Sequence, residues 1–172
     1  MFQPKSLRLD DQLCFSLYAA TNAVTRAYRP LLGQLGLTYP QYLVMLVLWQ
    51  DGSRTAGGIG RRLALAQNAV TPLLDRLEAA GLLVRGRSGA DRRVVHVHLT
   101  PEGIELETAV SLAQQNVECR TGLAPESLGR LRAELAALAR RMEGLEHGGL
   151  DCGPGRNEGP EAPGANAGMA FA

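Results

Sequence analysis

The sequence predicts a mainly α-helical chain with a small β-hairpin near its middle, and three observations lead there. Apolar residues recur at steps of three and four through most of residues 13 to 142, the repeat of a helix with one buried face. Only around "LLVRGRSGADRRVVHVHLT" does the repeat change to every second residue, the period of a strand. After His147 a run of glycine, proline and alanine shows no period at all.

Each element has its own local reason. Leu13, Leu17, Ala20, Val24, Ala27 and Leu31 share one face of a first helix, whose end Pro30 and Gly33 mark. In "TYPQYLVMLVLWQDG" Pro40 sits at a helix start, where its missing N–H costs nothing. That segment is apolar nearly all round, as a buried helix is. "SRTAGGIGRRLAL" places Ile59 and Leu63 one turn apart in a short helix, weakened by Gly57, Gly58 and Gly60 at about 1 kcal/mol per interior glycine. "QNAVTPLLDRLEAAGLL" reads as a helix with Asn68 as N-cap, Val70, Leu73, Leu74 and Leu77 as its buried stripe, and Gly81 as its left-handed stop. Pro72 lies close enough to the first turn to be tolerated.

A strand at Leu82 to Arg85, a polar tip from Gly86 to Asp91, and a strand in which Val95, Val97 and Leu99 alternate with His96 and His98 form the hairpin. Thr100 then caps a helix, with Pro101 first and Glu102 in its opening turn, that runs to about Thr121. The last helix follows Pro125 and carries Leu128, Leu131, Leu135, Leu138 and Met142 on one side. The order of short helix, turn, capped helix and basic hairpin is that of a winged helix-turn-helix, whose second helix enters the major groove. One domain over residues 10–147 is therefore expected, with a DNA-binding lobe at about 52–100 and a disordered Gly/Pro-rich tail at 148–172. The outer helices have apolar faces and no further sheet to cover, which predicts a two-fold homodimer through the N- and C-terminal helices.

The hydrophobic share of 45% in 172 residues suits one domain with a real core. No stretch reaches the roughly 18 apolar residues of a membrane span, and the N-terminus lacks the apolar segment of a secretory signal. No membrane partner and a cytoplasmic location are expected. Cys14, Cys119 and Cys152 are too far apart for a zinc site or a disulfide framework, so any disulfide is a regulatory one. His96 and His98 could share a metal, but nothing nearby supplies more ligands; neither a metal nor a cofactor is expected. The net charge of +1 hides an uneven distribution, because residues 54–93 carry a balance of +5 and residues 94–172 one of −5. A basic section over the wing is what local phosphate contact needs.

The segments "QLCFSLYAATNAVTRAYRPLL", "LGLTYPQYLVMLVLW", "VTPLLDRLEAAGLLVR", "DRR" before a strand, and "LTPEG" resemble the MarR family of dimeric bacterial transcription regulators. Within it they are similar to the organic-hydroperoxide-sensing repressors of the OhrR type, over residues 10 to 145. The resemblance implies that Cys14 is the peroxidatic cysteine and that Tyr28 and Tyr39 of the partner subunit hydrogen-bond its sulfur. It also implies that Cys119 is the resolving cysteine of the two-cysteine type. Geometry constrains that site. Cys14 and Tyr28 share a helical stripe with Tyr18, Thr21 and Thr25 but are fourteen residues apart, about 21 Å along the axis. Within one chain they cannot touch, so the site has to straddle two antiparallel first helices.

For DNA, Gln67, Asn68 and Thr71 stand at the polar start of the reading helix, where Gln or Asn can pair bidentately with adenine. Arg76, Arg87, Arg92 and Arg93 are assigned to phosphate or to a minor groove entered by the hairpin tip, and Asp91 to bracing the wing by pairing with Arg93. The stretch before "TPLL" departs from the subgroup's usual Asp-Ser-Gly-Thr, with Ala66, Gln67, Asn68 and Ala69 in its place, and Asp75 stands where a basic residue is common. An altered operator with the sensing mechanism retained follows. Taken without their neighbours, Cys14 and Cys119 are ordinary packing residues, and Tyr18, Tyr28, Tyr39 and Tyr42 core or interface aromatics. The leading expectation is a repressor released from operator DNA by organic hydroperoxide. Competing with it are a MarR-type repressor released by a small aromatic ligand and a thiol peroxidase. The lack of a further polar constellation for turnover argues against an enzyme.

Overall fold

The computed structural model describes residues 7–87 and 95–144. It divides into two compact units between Leu123 and Ala124. The first holds α1 (Leu13–Gln34), α2 (Tyr39–Asp51), β1 (Arg54–Thr55), α3 (Ala56–Leu63), α4 (Gln67–Ala79), β2 (Leu83–Arg87), β3 (Val95–Leu99) and α5 (Pro101–Arg120). The second holds α6 (Pro125–Gly144), whose Leu131, Leu135 and Met142 are exposed. The architecture is the winged helix-turn-helix that the periodicity predicts. The tail at 148–172 and Cys152 lie outside the described residues.

Pro30 does not end α1, which carries it internally and runs on to Gln34. The stop is Gly36 at φ 70°: its N–H donates to the Gly33 carbonyl, and the Leu37 N–H to that of Leu32 at 2.9 Å. This double closure satisfies carbonyls that the helix end leaves open. Thr38 and Gln41 form a capping box at the start of α2, the Thr38 N–H donating to Gln41 Oε1 at 2.8 Å. Burial of Tyr42, Val44, Met45, Val47 and Leu48 matches the all-round apolar character of that segment.

The turn between α3 and α4 explains one of the glycines. A Cβ on Gly60 would come within 2.8 Å of the Leu65 carbonyl oxygen, while the Leu65 N–H donates to the Gly60 carbonyl at 2.8 Å. Only glycine lets the two backbones close this tightly. The expected N-cap of α4 is corrected: Ala66, not Asn68, holds that position, without a side-chain cap, and Asn68 lies inside the first turn. A helix begun at Gln67 aligns Val70, Leu74 and Leu77 with the core, and that burial outweighs a cap contribution of about 1 kcal/mol.

The sheet order is β1-β3-β2, all antiparallel. The two-residue β1, which pairs Arg54 with Val97 and Thr55 with His96, is too short to leave a periodic signal. Strand β2 also extends through Gly86 and Arg87, two residues that the sequence assigns to the tip. Thr100 caps α5 by accepting from the Gly103 N–H. A Cβ on Gly103 would overlap the Leu82 carbonyl oxygen, so the "LTPEG" segment needs its glycine for close packing of helix against strand. The core gathers Leu32, Met45, Leu48, Ile59, Leu74 and Leu83 among others.

The first helix departs from its predicted burial. Tyr28 and Leu32 are its buried residues, whereas Leu13 is 59% and Val24 38% exposed and Ala20 is exposed too. The predicted apolar stripe is left largely uncovered within the chain. No single described helix is long and apolar enough to cross a membrane.

Candidate thiol site and DNA-binding face

Cys14 lies in the first turn of α1 and is exposed, as is Cys119 in the last turn of α5. Neither is packed in the chain's own core. Because α1 is continuous from Leu13 to Gln34, Cys14 and Tyr28 stand about 21 Å apart along it. The structure therefore does not bring the predicted thiol to the predicted phenols within one chain.

It does bring the phenols together. Tyr28 on α1 and Tyr39 on α2 have ring centroids 5.4 Å apart. Tyr42, one turn further along α2, completes a triangle at 5.3 Å from Tyr28 and 5.8 Å from Tyr39. Tyr42 is only 3% exposed. Burial first, then hydrogen bonding with Tyr28 and the nearby Tyr28, Tyr39 and Glu118, push its pKa well above the ordinary 10.0. Burial and Tyr28 raise Tyr39 as well. The sequence reading left Tyr42 among ordinary aromatics; its spacing of three from Tyr39, which places both on one helix face, is the signal that finds it. A cavity of about 560 Å³ opens beside Tyr39, between Thr25, Arg29 and Gly33 of α1 and the Leu37 to Pro40 turn. Tyr18, on the Cys14 stripe, is 66% exposed.

Gln67, Asn68, Thr71 and Arg76 are all exposed on α4. The Thr71 hydroxyl donates to the Gln67 carbonyl at 3.1 Å, leaving its oxygen lone pairs and methyl to face outward. Asp51 pairs with both Arg54 and Arg62 at 3.5 Å, holding two cations at the foot of the short helix. Arg85 on β2 pairs with Asp75 and Glu78 of α4, a link absent from the sequence reading. Arg87 is the last residue of β2; Asp91, Arg92 and Arg93, with the bracing pair assigned to them, lie outside the described residues. His96 and His98 have ring centroids 6.3 Å apart, and Ser53 Oγ meets His96 Nδ1 at 3.3 Å. Among the described residues, no three His, Cys, Asp or Glu side chains gather as metal ligands.

A glycine-tightened turn into an exposed polar helix, followed by a three-stranded wing, defines a winged helix-turn-helix transcription regulator. Comparison with known proteins agrees. The model of the transcriptional regulator SarA/Rot family matches residues 26–110. The chain is 42% identical to the HTH-type transcriptional regulator TtmR of Methylorubrum extorquens, over 92% of this chain and 76% of that protein. It is 44% identical to the organic hydroperoxide resistance transcriptional regulator of Bacillus subtilis, over 62% of this chain and 73% of that protein. Among solved structures, overoxidized AbfR bound to DNA superposes with a TM-score of 0.65 at 36% identity, over 79% of this chain and 96% of that one. AbfR, from Staphylococcus epidermidis, is also matched in its disulfide form, with a TM-score of 0.56 at 37% identity over 77% and 93% of the two chains. The chain belongs to the MarR family of winged helix-turn-helix transcription regulators, the family its sequence motifs resemble.

Proposed function

We propose that the protein is a homodimeric repressor that leaves its operator when an organic hydroperoxide oxidises Cys14. The observation that carries this reading is an exposed Cys14 in the first turn of α1 together with a phenol cluster further along, Tyr28 of α1 against Tyr39 at the start of α2. Two such helices packed antiparallel about a two-fold axis would set each thiol against the partner's phenols and cover the exposed stripe of α1. The apolar wall of the cavity beside Tyr39 suits a hydrocarbon group on the peroxide. Relatives support the chemistry: one is named for organic hydroperoxide resistance, and AbfR has been solved reduced and overoxidized on DNA and with a disulfide formed.

The phenols donate hydrogen bonds to the sulfur and favour its thiolate. The thiolate attacks the terminal peroxide oxygen, the O–O bond breaks, and the alkoxide leaves to take a proton as an alcohol, with Cys14 becoming a sulfenic acid. The thiol of Cys119 of the other subunit then displaces that oxygen as water and closes an intersubunit disulfide. The consequent helix movement spoils the half-site spacing of two α4 helices, which read DNA with Gln67, Asn68 and Thr71 while Arg76, Arg87, Arg92 and Arg93 hold phosphate or minor groove. Asp91 steadies the wing. Such a repressor works in the cytoplasm and needs neither metal nor cofactor.

The test is binding of the reduced protein to its own promoter region, with and without organic hydroperoxide, alongside non-reducing gels. Wild type should release DNA and run as a crosslinked dimer. Normal release by the Cys14→Ser variant under the same oxidant would falsify the thiol switch. Loss of the crosslink with release intact in Cys119→Ser would leave sulfenic acid formation as the sufficient event. The cavity beside Tyr39 favours a second reading, release by a small aromatic ligand, which peroxide-insensitive but ligand-sensitive binding would reveal.

A further inference from the structure

We propose that Arg61 is a phosphate contact of the helix-turn-helix: it lines a small recess between α3 and α4 that seats a backbone phosphate of the operator next to the base met by Gln67. This rests on the reading of α4 as the helix that enters the major groove, and it adds a residue to that interface.

Asp51 pairs with Arg54 and Arg62, whereas Arg61 is exposed and, among the described residues, its side chain joins no ion pair or hydrogen bond. Its guanidinium donors are kept for a partner outside the chain. One turn earlier, a Cβ on Gly57 would stand 3.8 Å from Arg61 Nη1, so the guanidinium lies back over that glycine. The recess beside it, about 300 Å³, is lined by Gly57, Gly60, Arg61, Ala64, Leu65 and Gln67. Its lining has no acid, and it reaches the first residue of α4. The glycines of α3 differ in use. Gly60 closes on Leu65, and a Cβ on Gly58 would crowd the capping Thr55 hydroxyl at 3.2 Å, but the Cβ of residue 57 would meet only the Arg61 guanidinium. A glycine that weakens the helix without serving its packing leaves the recess open to something from outside. Duplex DNA is the occupant that charge and place favour. With α4 in the major groove, the strand bordering that groove passes the turn before it, and arginine offers a phosphate two parallel N–H donors. Such contacts fix register and leave sequence choice to base edges, so Arg61 sets the depth at which Gln67 meets its base.

The experiment uses the full-length reduced protein in anisotropy titrations on its own promoter region and on a random duplex, at several salt concentrations. Arg61→Ala should weaken both duplexes by the same factor, roughly five- to ten-fold near 0.1 M salt, and flatten the slope of log affinity against log salt by about 0.9. Arg62→Ala, whose guanidinium Asp51 holds, should leave the slope close to wild type. Gly57→Leu changes no charge but fills the recess, so it should weaken both duplexes too. Its urea midpoint should not fall, because leucine favours a helix more than glycine does. An unchanged slope in Arg61→Ala, an equal change in Arg62→Ala, or full binding by Gly57→Leu overturns the proposal. Should inorganic phosphate then bind the DNA-free protein and be lost in Arg61→Ala, the recess serves a free anion instead. Failure here is distinct from failure of the reading helix: if Gln67→Ala loses operator preference while Arg61→Ala binds as wild type, α4 still enters the groove and only the phosphate seat is lost.

Discussion

Arg85 on the wing strand reaches Asp75 on the reading helix, with Nη2 to Oδ1 at 2.6 Å. Glu78 adds to the latch from the next turn, accepting the Arg85 backbone N–H at Oε1 across 3.1 Å. Its other oxygen stands 3.6 Å from Nε, close enough for ion pairing but too far for a hydrogen bond, and Nε accordingly has no hydrogen-bond partner. Wing and reading helix are therefore fixed to each other by backbone as well as by charge. The acid at Asp75, a departure from the subgroup pattern, has a structural use: it takes up the Arg85 Nη2 edge that Glu78 leaves open.

Asp75→Ala should accordingly cost little stability, because its carboxylate is 56% exposed and such pairs contribute about 0–1 kcal/mol. Its larger effect should fall on DNA. With one of the two carboxylates paired with Arg85 removed, non-specific affinity should rise, and the slope of log affinity against log salt should steepen by up to about 0.9. Urea titration and fluorescence anisotropy on a random duplex measure both; weaker non-specific binding would contradict this account.

Gly103→Ala should be among the costliest single changes in the lobe. The added carbon would overlap the Leu82 carbonyl oxygen, backbone that cannot swing away as a side chain can, and the Gly103 carbonyl also accepts from Trp49 Nε1 at 2.9 Å. Overpacking of this kind costs about 1–3 kcal/mol. The urea midpoint should fall accordingly, and the emission of Trp49, the chain's single tryptophan, should change with it. A midpoint equal to wild type would show that the strand and helix can part freely.

Most of this fold was legible because its elements carry local signals. Pro40 and Thr100 mark helix starts, Gly81 at φ 73° ends one, and the β3 alternation puts Val97 inside. What the sequence hid was tertiary. Asn68 is a better cap than Ala66, yet burial of Val70, Leu74 and Leu77 sets the start of α4. Pro30 resembles a terminator, but the closure at Gly36 lies further on. In the candidate thiol site, helix arithmetic separates Cys14 from Tyr28, while the Tyr42 contact with Tyr28 needs the crossing of α1 and α2, which no local pattern encodes.

Specific DNA recognition should depend on Gln67 and Asn68 in a manner separable from charge. Both are exposed in the first turn of α4, and a bidentate amide contact to adenine discriminates by about 1–3 kcal/mol. Gln67→Ala or Asn68→Ala should therefore weaken operator binding roughly ten- to hundred-fold with the salt slope unchanged. Arg76→Ala should instead weaken operator and random duplex alike and flatten the slope by about 0.9. Anisotropy titrations on both duplexes at several salt concentrations separate the two patterns, and equal losses on both duplexes for Gln67→Ala and Asn68→Ala would remove the amides from the reading role.

The phenol cluster makes folding stability sensitive to alkali. Tyr42 and Tyr39 have folded pKa values raised above the ordinary 10.0, chiefly by burial, so the folded chain keeps protons that the unfolded chain releases. Their contribution is whole below about pH 10 and is lost as pH climbs through the raised folded values, because the unfolded state then binds fewer protons. Each such phenol adds a slope of at most about 1.4 kcal/mol per pH unit. Urea midpoints should thus decline between pH 9.5 and 11, on the order of one unit either side of the ordinary phenol value, and less steeply in Tyr42→Phe than in wild type. Parallel declines would mean that Tyr42 ionises in the folded chain as readily as in the unfolded one, which its burial and hydrogen bonding with Tyr28 oppose.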